Sequence, residues 1–141
     1  MAYTIQQFRQ EAASKAATAG MTFKAGYVEQ VNLILGQETS GKLLILLLPR
    51  TLNFQRDGYK TGRVTFFYFK EWLSTSAYDD FEMSSIIAEE LNTYLKTVFV
   101  KTQFNFYVKD GADFVITDFG GMKDKDNMFS CSCTIDLFLK C

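Results

Sequence analysis

The side chains able to do chemistry in this chain are carboxylates, lysines and thiols, because the sequence contains no histidine. That removes the most frequent general base and metal ligand, and with it any Cys–His or Ser–His nucleophile. Three carboxylate pairs stand out: Asp79/Asp80, Glu89/Glu90 and Asp124/Asp126. Adjacent residues of a helix point to different sides, so Glu89/Glu90 reads as a solvated face and not as an acid–base pair. Asp124-Lys125-Asp126-Asn127 has the alternating acids of a calcium loop but lacks its central glycine and closing glutamate, and reads as a charged hairpin tip. Lys123 and Lys125 could touch a phosphate, but the interleaved aspartates cancel their field. There is no glycine-rich phosphate loop, dinucleotide fingerprint or nucleophile elbow. We expect no catalytic residues, no cofactor and no metal.

The thiols are Cys131, Cys133 and Cys141. On a strand, Cys131 and Cys133 share a face about 6.5–7 Å apart, an awkward spacing for a disulfide. A Cys-x-Cys zinc site with Cys141 lacks an evident fourth ligand. Two small buried thiols in a reducing compartment are the simpler reading. The opening residues Met1 to Phe8 show no basic stretch followed by an apolar one, so no signal peptide is expected. The longest apolar run, Leu43 to Leu48, is far short of the ~20 residues of a membrane helix.

These groups need elements to hold them. With 141 residues, 48% hydrophobic and 22% charged, the chain reads as one globular domain over 1–141. A net charge of −1 supplies no global field for nucleic acid or anionic lipid, so we expect neither sequence-specific nucleic-acid binding nor membrane attachment.

Thr4 with Gln7 fits a capping box, and Ile5, Phe8, Ala12 and Ala16 follow at helical spacing, which predicts a helix over 5–19 stopped by Gly20. Met21 to Gly26 reads as a break. Val28, Val31 and Ile34/Leu35 suggest a second short helix from Tyr27 to Gly36. The continuous run Leu43 to Leu48, ended by Pro49, predicts a strand covered on both faces. Residues 53–62 read as a polar loop with a turn at Asp57-Gly58. Arg63 to Lys70 is β-branched and aromatic, hence a strand. Ile87, Leu91, Tyr94/Leu95 and Val98 predict a helix over 80–99, and strands follow at 103–109 and 114–119. In the last strand, Phe129, Cys131, Cys133, Ile135, Leu137 and Leu139 alternate with Ser130, Ser132, Thr134, Asp136 and Lys140, with Phe138 the exception on the outer face. The order α-α-β-β-α-β-β-β predicts an α+β fold with an antiparallel or mixed sheet packed with helices.

The sequence is rich in Phe (14) and Tyr (7), and Val64 to Phe69 is apolar on both faces. Either helices sandwich the sheet, or an aromatic face docks another subunit, since interfaces favour Tyr, Phe and Met. The segments Leu43–Pro49, Arg63–Lys70, Ile86–Phe99 and Asn127–Lys140, in that order, resemble the tail-terminator, tail-completion and neck proteins of tailed bacteriophages. The resemblance is one of pattern and rests on no signature motif. It implies a virion structural protein without catalytic residues, assembled in the host cytoplasm into a homo-oligomeric ring, commonly a hexamer. Such a ring ends the tail tube and meets other tail or connector proteins. The regions carried over are the 50–62 loop and the 120–127 hairpin. The candidate interface residues are Arg50, Arg56, Asp57, Lys60, Phe67, Phe69, Lys123, Lys125 and Phe138. A different class fits the same composition: a small intracellular ligand-binding or adaptor domain with an aromatic-lined pocket.

Overall fold

The computed structural model describes residues 3–31, 41–56, 58–71, 80–100, 105–108, 114–121 and 128–140. Thr4 opens helix α1 (Ile5–Thr18) through a capping box: the Gln7 amide donates to Thr4 Oγ1 at 3.1 Å, and the Thr4 amide donates to Gln7 Oε1 at 2.7 Å. Gly20, at φ 76°, turns the chain out of the helix. The buried face of α1 is Phe8, Ala12 and Ala16. Two alanines make it thin, and the Tyr94 hydroxyl of helix α2 (Asp80–Val98) comes close enough to donate to the Ala12 carbonyl at 2.7 Å.

The strands are β1 (Thr22–Gly26), β2 (Lys42–Leu47), β3 (Asn53–Phe54), β4 (Tyr59–Glu71), β5 (Phe106–Val108), β6 (Ile116–Gly121) and β7 (Met128–Lys140). They form one mixed sheet in the order β1-β2-β4-β7-β5, with β6 beside the other half of β7 and β3 paired to the start of β4. Only β1 and β2 run parallel among the described pairs. The fold is α+β.

Both helices pack on the same face. Phe8, Ala12 and Ala16 of α1 and Ile87, Leu91 and Leu95 of α2 share one buried cluster with Leu44, Leu46, Val64, Phe66, Cys131, Cys133 and Leu137. Each large side chain buried there contributes about 1.5–3 kcal/mol. The opposite face holds a smaller cluster of Leu43, Ile45, Phe69 and Met128. Leu43 to Leu46 are therefore all buried, as the unbroken apolar run predicts.

Three expectations are corrected. Met21 to Gly26 is not a break, since Phe23 and Ala25 alternate onto the core side and make β1 a strand. The described part of the expected second helix is a single 3-10 turn, Val28–Gln30, with Val28 exposed; 32–36 lie outside the described residues. The 53–62 loop is a hairpin: Gly58, at φ 93°, turns β3 into a β4 that already starts at Tyr59. Gly62 is fixed by contact and not by dihedral. A Cβ there would lie 2.9 Å from Leu52 Cδ2 and 3.0 Å from Pro49 Cγ, so the chain after β2 crosses tightly over β4.

Candidate interaction face

The strands β4 and β7, thirteen residues each, pair antiparallel along their whole length. Alternation sends Val64, Phe66 and Tyr68 of β4 towards the helices. It sends Tyr59, Thr61, Arg63, Thr65 and Phe67 to the other side, which no described helix covers. Their partners there are Lys140, Phe138, Asp136, Thr134 and Ser132. Arg63 Nε donates to Asp136 Oδ1 at 3.1 Å, with both side chains largely in solvent. The Thr65 and Thr134 hydroxyls are 2.9 Å apart.

Aromatic rings stand at both ends of this strip. At one end the Phe138 and Tyr107 rings stack with centroids 5.0 Å apart and planes at 8°, and Tyr59 meets Tyr107 edge-on at 5.5 Å. At the other, Phe67 stacks between Phe69 and Phe119, with centroids 6.0 Å from each. Phe119 is 54% exposed and Val115, next to β6, is 70% exposed. The face carries Arg63, Asp136 and Lys140 among Thr and aromatic side chains.

The candidate interface residues divide on this frame. Phe67 and Phe138 lie on the face, half-buried. Phe69 lies on the same face but is buried in the cluster with Leu43, Ile45 and Met128, so the expectation that it meets a partner is corrected. Lys60 is buried as well, on the side of β4 that the chain crosses, and is no loop cation. Arg50 is exposed but engaged. Its guanidinium sits 3.9 Å over the Tyr27 ring centroid and pairs with Glu29, which ties the 3-10 turn to the end of β2. Arg56 is exposed in the hairpin turn. Asp57, Lys123 and Lys125 lie outside the described residues, as do Asp79, Asp124, Asp126 and Cys141.

On the helical side, Glu90 is not the solvated carboxylate that its position suggested. Lys42 and Lys70 are opposite one another across β2 and β4. Glu90 reaches down from α2 between them, accepting from Lys70 Nζ at 2.5 Å and from the Tyr68 hydroxyl, with Lys42 Nζ at 3.8 Å. Burial by itself would raise the Glu90 pKa, but the hydrogen bonds and the two ammonium charges outweigh it and hold the carboxyl below its ordinary value. Burial and the same carboxylate push the Tyr68 phenol up, so it stays protonated. Beside this cluster lies an open groove of about 370 Å³, lined by Met21, Lys42, Ile86, Glu89, Thr93 and Thr97 among others. Its charged lining is Lys42, Glu89 and Glu90, and Glu90 is already held by Lys70 and Tyr68. The sequence signal for the cluster was a lysine at the border of each of two largely apolar runs, Lys42 before Leu43–Leu48 and Lys70 after Val64–Phe69.

Cys131 and Cys133 are free and buried, as the alternation of the last strand predicts. The Cys131 thiol donates to the Ile87 carbonyl at 3.7 Å, so it serves as a packed core side chain. Among the described residues no group of His, Cys, Asp or Glu is arranged to hold a metal ion, and no helix is long and apolar enough to cross a membrane.

No protein-family model and no curated protein sequence matches the chain.

Proposed function

We propose that this protein is an assembly subunit, a ring-forming component of a tailed-phage tail end or neck, which acts through surfaces and not through a reactive centre. One observation carries the reading: among the described residues the helices lie on one face of the two longest strands, and the other face exposes Arg63, Thr134, Asp136 and Lys140 between aromatic rings. A solvent-facing strand normally carries more Lys and Glu, which keep strangers off. On this strip the charges are Arg63, Asp136 and Lys140, set among Thr and aromatic side chains, and aromatic residues and Arg are favoured in protein–protein contacts. The phage assignment adds the resemblance in element order, which accounts for the size of the chain and the lack of a catalytic constellation in its sequence.

Native mass measurement and electron microscopy test it together. A closed particle of several copies is expected, alone or on addition of a tail-tube or connector protein of its phage. A chain that stays monomeric at high concentration, both alone and with those proteins, overturns the reading.

A further inference from the structure

The open strip of β4 and β7 is complementary to itself. Along it Arg63 faces Asp136, Phe138 faces Thr61, and Thr65 faces Thr134, while Ser132, opposite Phe67, is buried. A twofold axis between the two strands and parallel to them, lying just above the sheet, would place β4 of one copy over β7 of the other at the same height. Each side chain would then meet, on the second copy, the same type of residue that it pairs with on its own sheet. Arg63 would lie over Asp136, Phe138 over Thr61, and Thr65 over Thr134. Oppositely charged and large–small contacts follow from this one operation.

We propose that this strip is a self-association face, and that two copies of the chain pack on it face to face as an isologous sandwich about a twofold parallel to β4 and β7. In such a contact, residue i of one copy meets residue j of the other, and j meets i. Aligned sheets stack about 10 Å apart with a rotation of about 30°, so the central pairs superpose best. These are Arg63/Asp136 and Thr65/Thr134. The only charges near the centre of the strip are Arg63 and Asp136, and both are exposed, so a second copy meets them as a ready-made complementary pair. The four pairs from Tyr59/Lys140 to Thr65/Thr134 span about 260 Å² in plan, from about 6.8 Å per residue pair along a strand and about 4.8 Å of width per strand. That is about a third of the ~800 Å² per partner of a standard interface, so the pairing is concentration-dependent and not permanent.

The inference rests on the assembly reading only in taking this face to be covered in use. A ring needs a second, heterologous contact elsewhere on the subunit. The test is a charge exchange, read by sedimentation velocity on the full-length chain. Wild type should show a reversible monomer–dimer equilibrium. R63D puts two carboxylates on the strip and D136R puts two guanidinium groups there. Each variant alone should dimerise at least tenfold more weakly, and an equimolar mixture of the two should recover a heterodimer. Recovery on mixing requires that Arg63 and Asp136 meet across the contact, which no pairing through sheet edges or loops would produce. Both side chains are exposed, and circular dichroism checks that each variant folds. Should one fail to fold, Thr134→Arg replaces it, with weakened dimerisation again expected. A wild type that is monomeric at about 1 mM, single variants that dimerise as tightly as wild type, or a mixture that recovers nothing each overturn the proposal. A larger particle that forms equally well from R63D overturns it too, while leaving the assembly reading standing.

Discussion

Lys42 and Lys70 sit directly opposite each other on neighbouring strands, and the arrangement holds because Glu90 of the overlying helix bridges them. Like charges facing across a sheet are destabilising, whereas a shared carboxylate turns them into a charge-assisted cluster. Helix α2 is thereby tied to β2 and β4 at the point where the apolar core ends.

Glu90→Gln should lower stability by about 1–2 kcal/mol, the range for losing charge-assisted hydrogen bonds in a site still reached by solvent. The pH dependence has a definite sign. The native carboxyl titrates below its ordinary value of 4.5, so its contribution is full above about that pH and is lost as pH falls through the lower native value. Urea midpoints measured from pH 7 down to pH 3 should fall for wild type, and the gap to Glu90→Gln should close at the acid end. A gap that stays constant with pH would refute the assignment.

Gly62→Ala should destabilise the fold by about 1–3 kcal/mol, the usual cost of overpacking. Its new Cβ would meet Leu52 Cδ2 at 2.9 Å and Pro49 Cγ at 3.0 Å. Chemical denaturation measures it, with Gly58→Ala as a contrasting case in which left-handed φ and not contact sets the cost. Pairing Gly62→Ala with Leu52→Ala should recover part of the loss, because the clashing atom is gone.

Burial, with the nearby Asp118 charge, pushes the Cys131 thiol up to about 12, and burial pushes Cys133 up to about 11. At pH 8 neither forms appreciable thiolate. Iodoacetamide should leave both unmodified in the native protein and modify both in urea, with peptide mass spectrometry reading each site. Rapid native labelling of either would show that β7 opens far more readily than its burial implies.

Phe138→Glu should leave the monomer folded and weaken self-association at least tenfold. Phe138 lies off the core face and stacks on the exposed Tyr107, so a carboxylate there loses one ring contact and adds charge to the strip. Light scattering against concentration, with a thermal melt as control, measures both effects. A variant that assembles like wild type would remove Phe138 from the contact.

What the sequence revealed depended on whether the signal was local. The capping box at Thr4, the helical period from Ile87 to Val98 and the alternation from Phe129 to Leu139 are each set by neighbouring residues, and each element is where the pattern put it. The strand Thr22–Gly26 escaped notice because it has one large apolar residue, Phe23, and owes its form to α1 and β2, which are remote from its own pattern. The start of β4 escaped because Tyr59 to Gly62 mixes polar and charged residues, which resembles a loop until β3 and β7 supply partners. Amphipathic periods show which side of a helix is buried but not which side of the sheet receives it. Which face of β4 and β7 the two helices cover was therefore not readable from the sequence. Glu90 looked like surface for the same reason, since its two lysines arrive from other elements.

The pairing of β4 with β7 also governs how the chain reaches its native state. Thr65 and Thr134 touch across a separation of 69 residues, and β7 joins β4, β5 and β6 into one sheet. Helix α1 can form early, whereas the strand that unites most of the sheet can dock only after a long loop has closed. A topology so dominated by distant contacts should fold in milliseconds to seconds and not in microseconds. Until β7 docks, the apolar faces of β2 and β4 stand open, and at high concentration that interval favours aggregation.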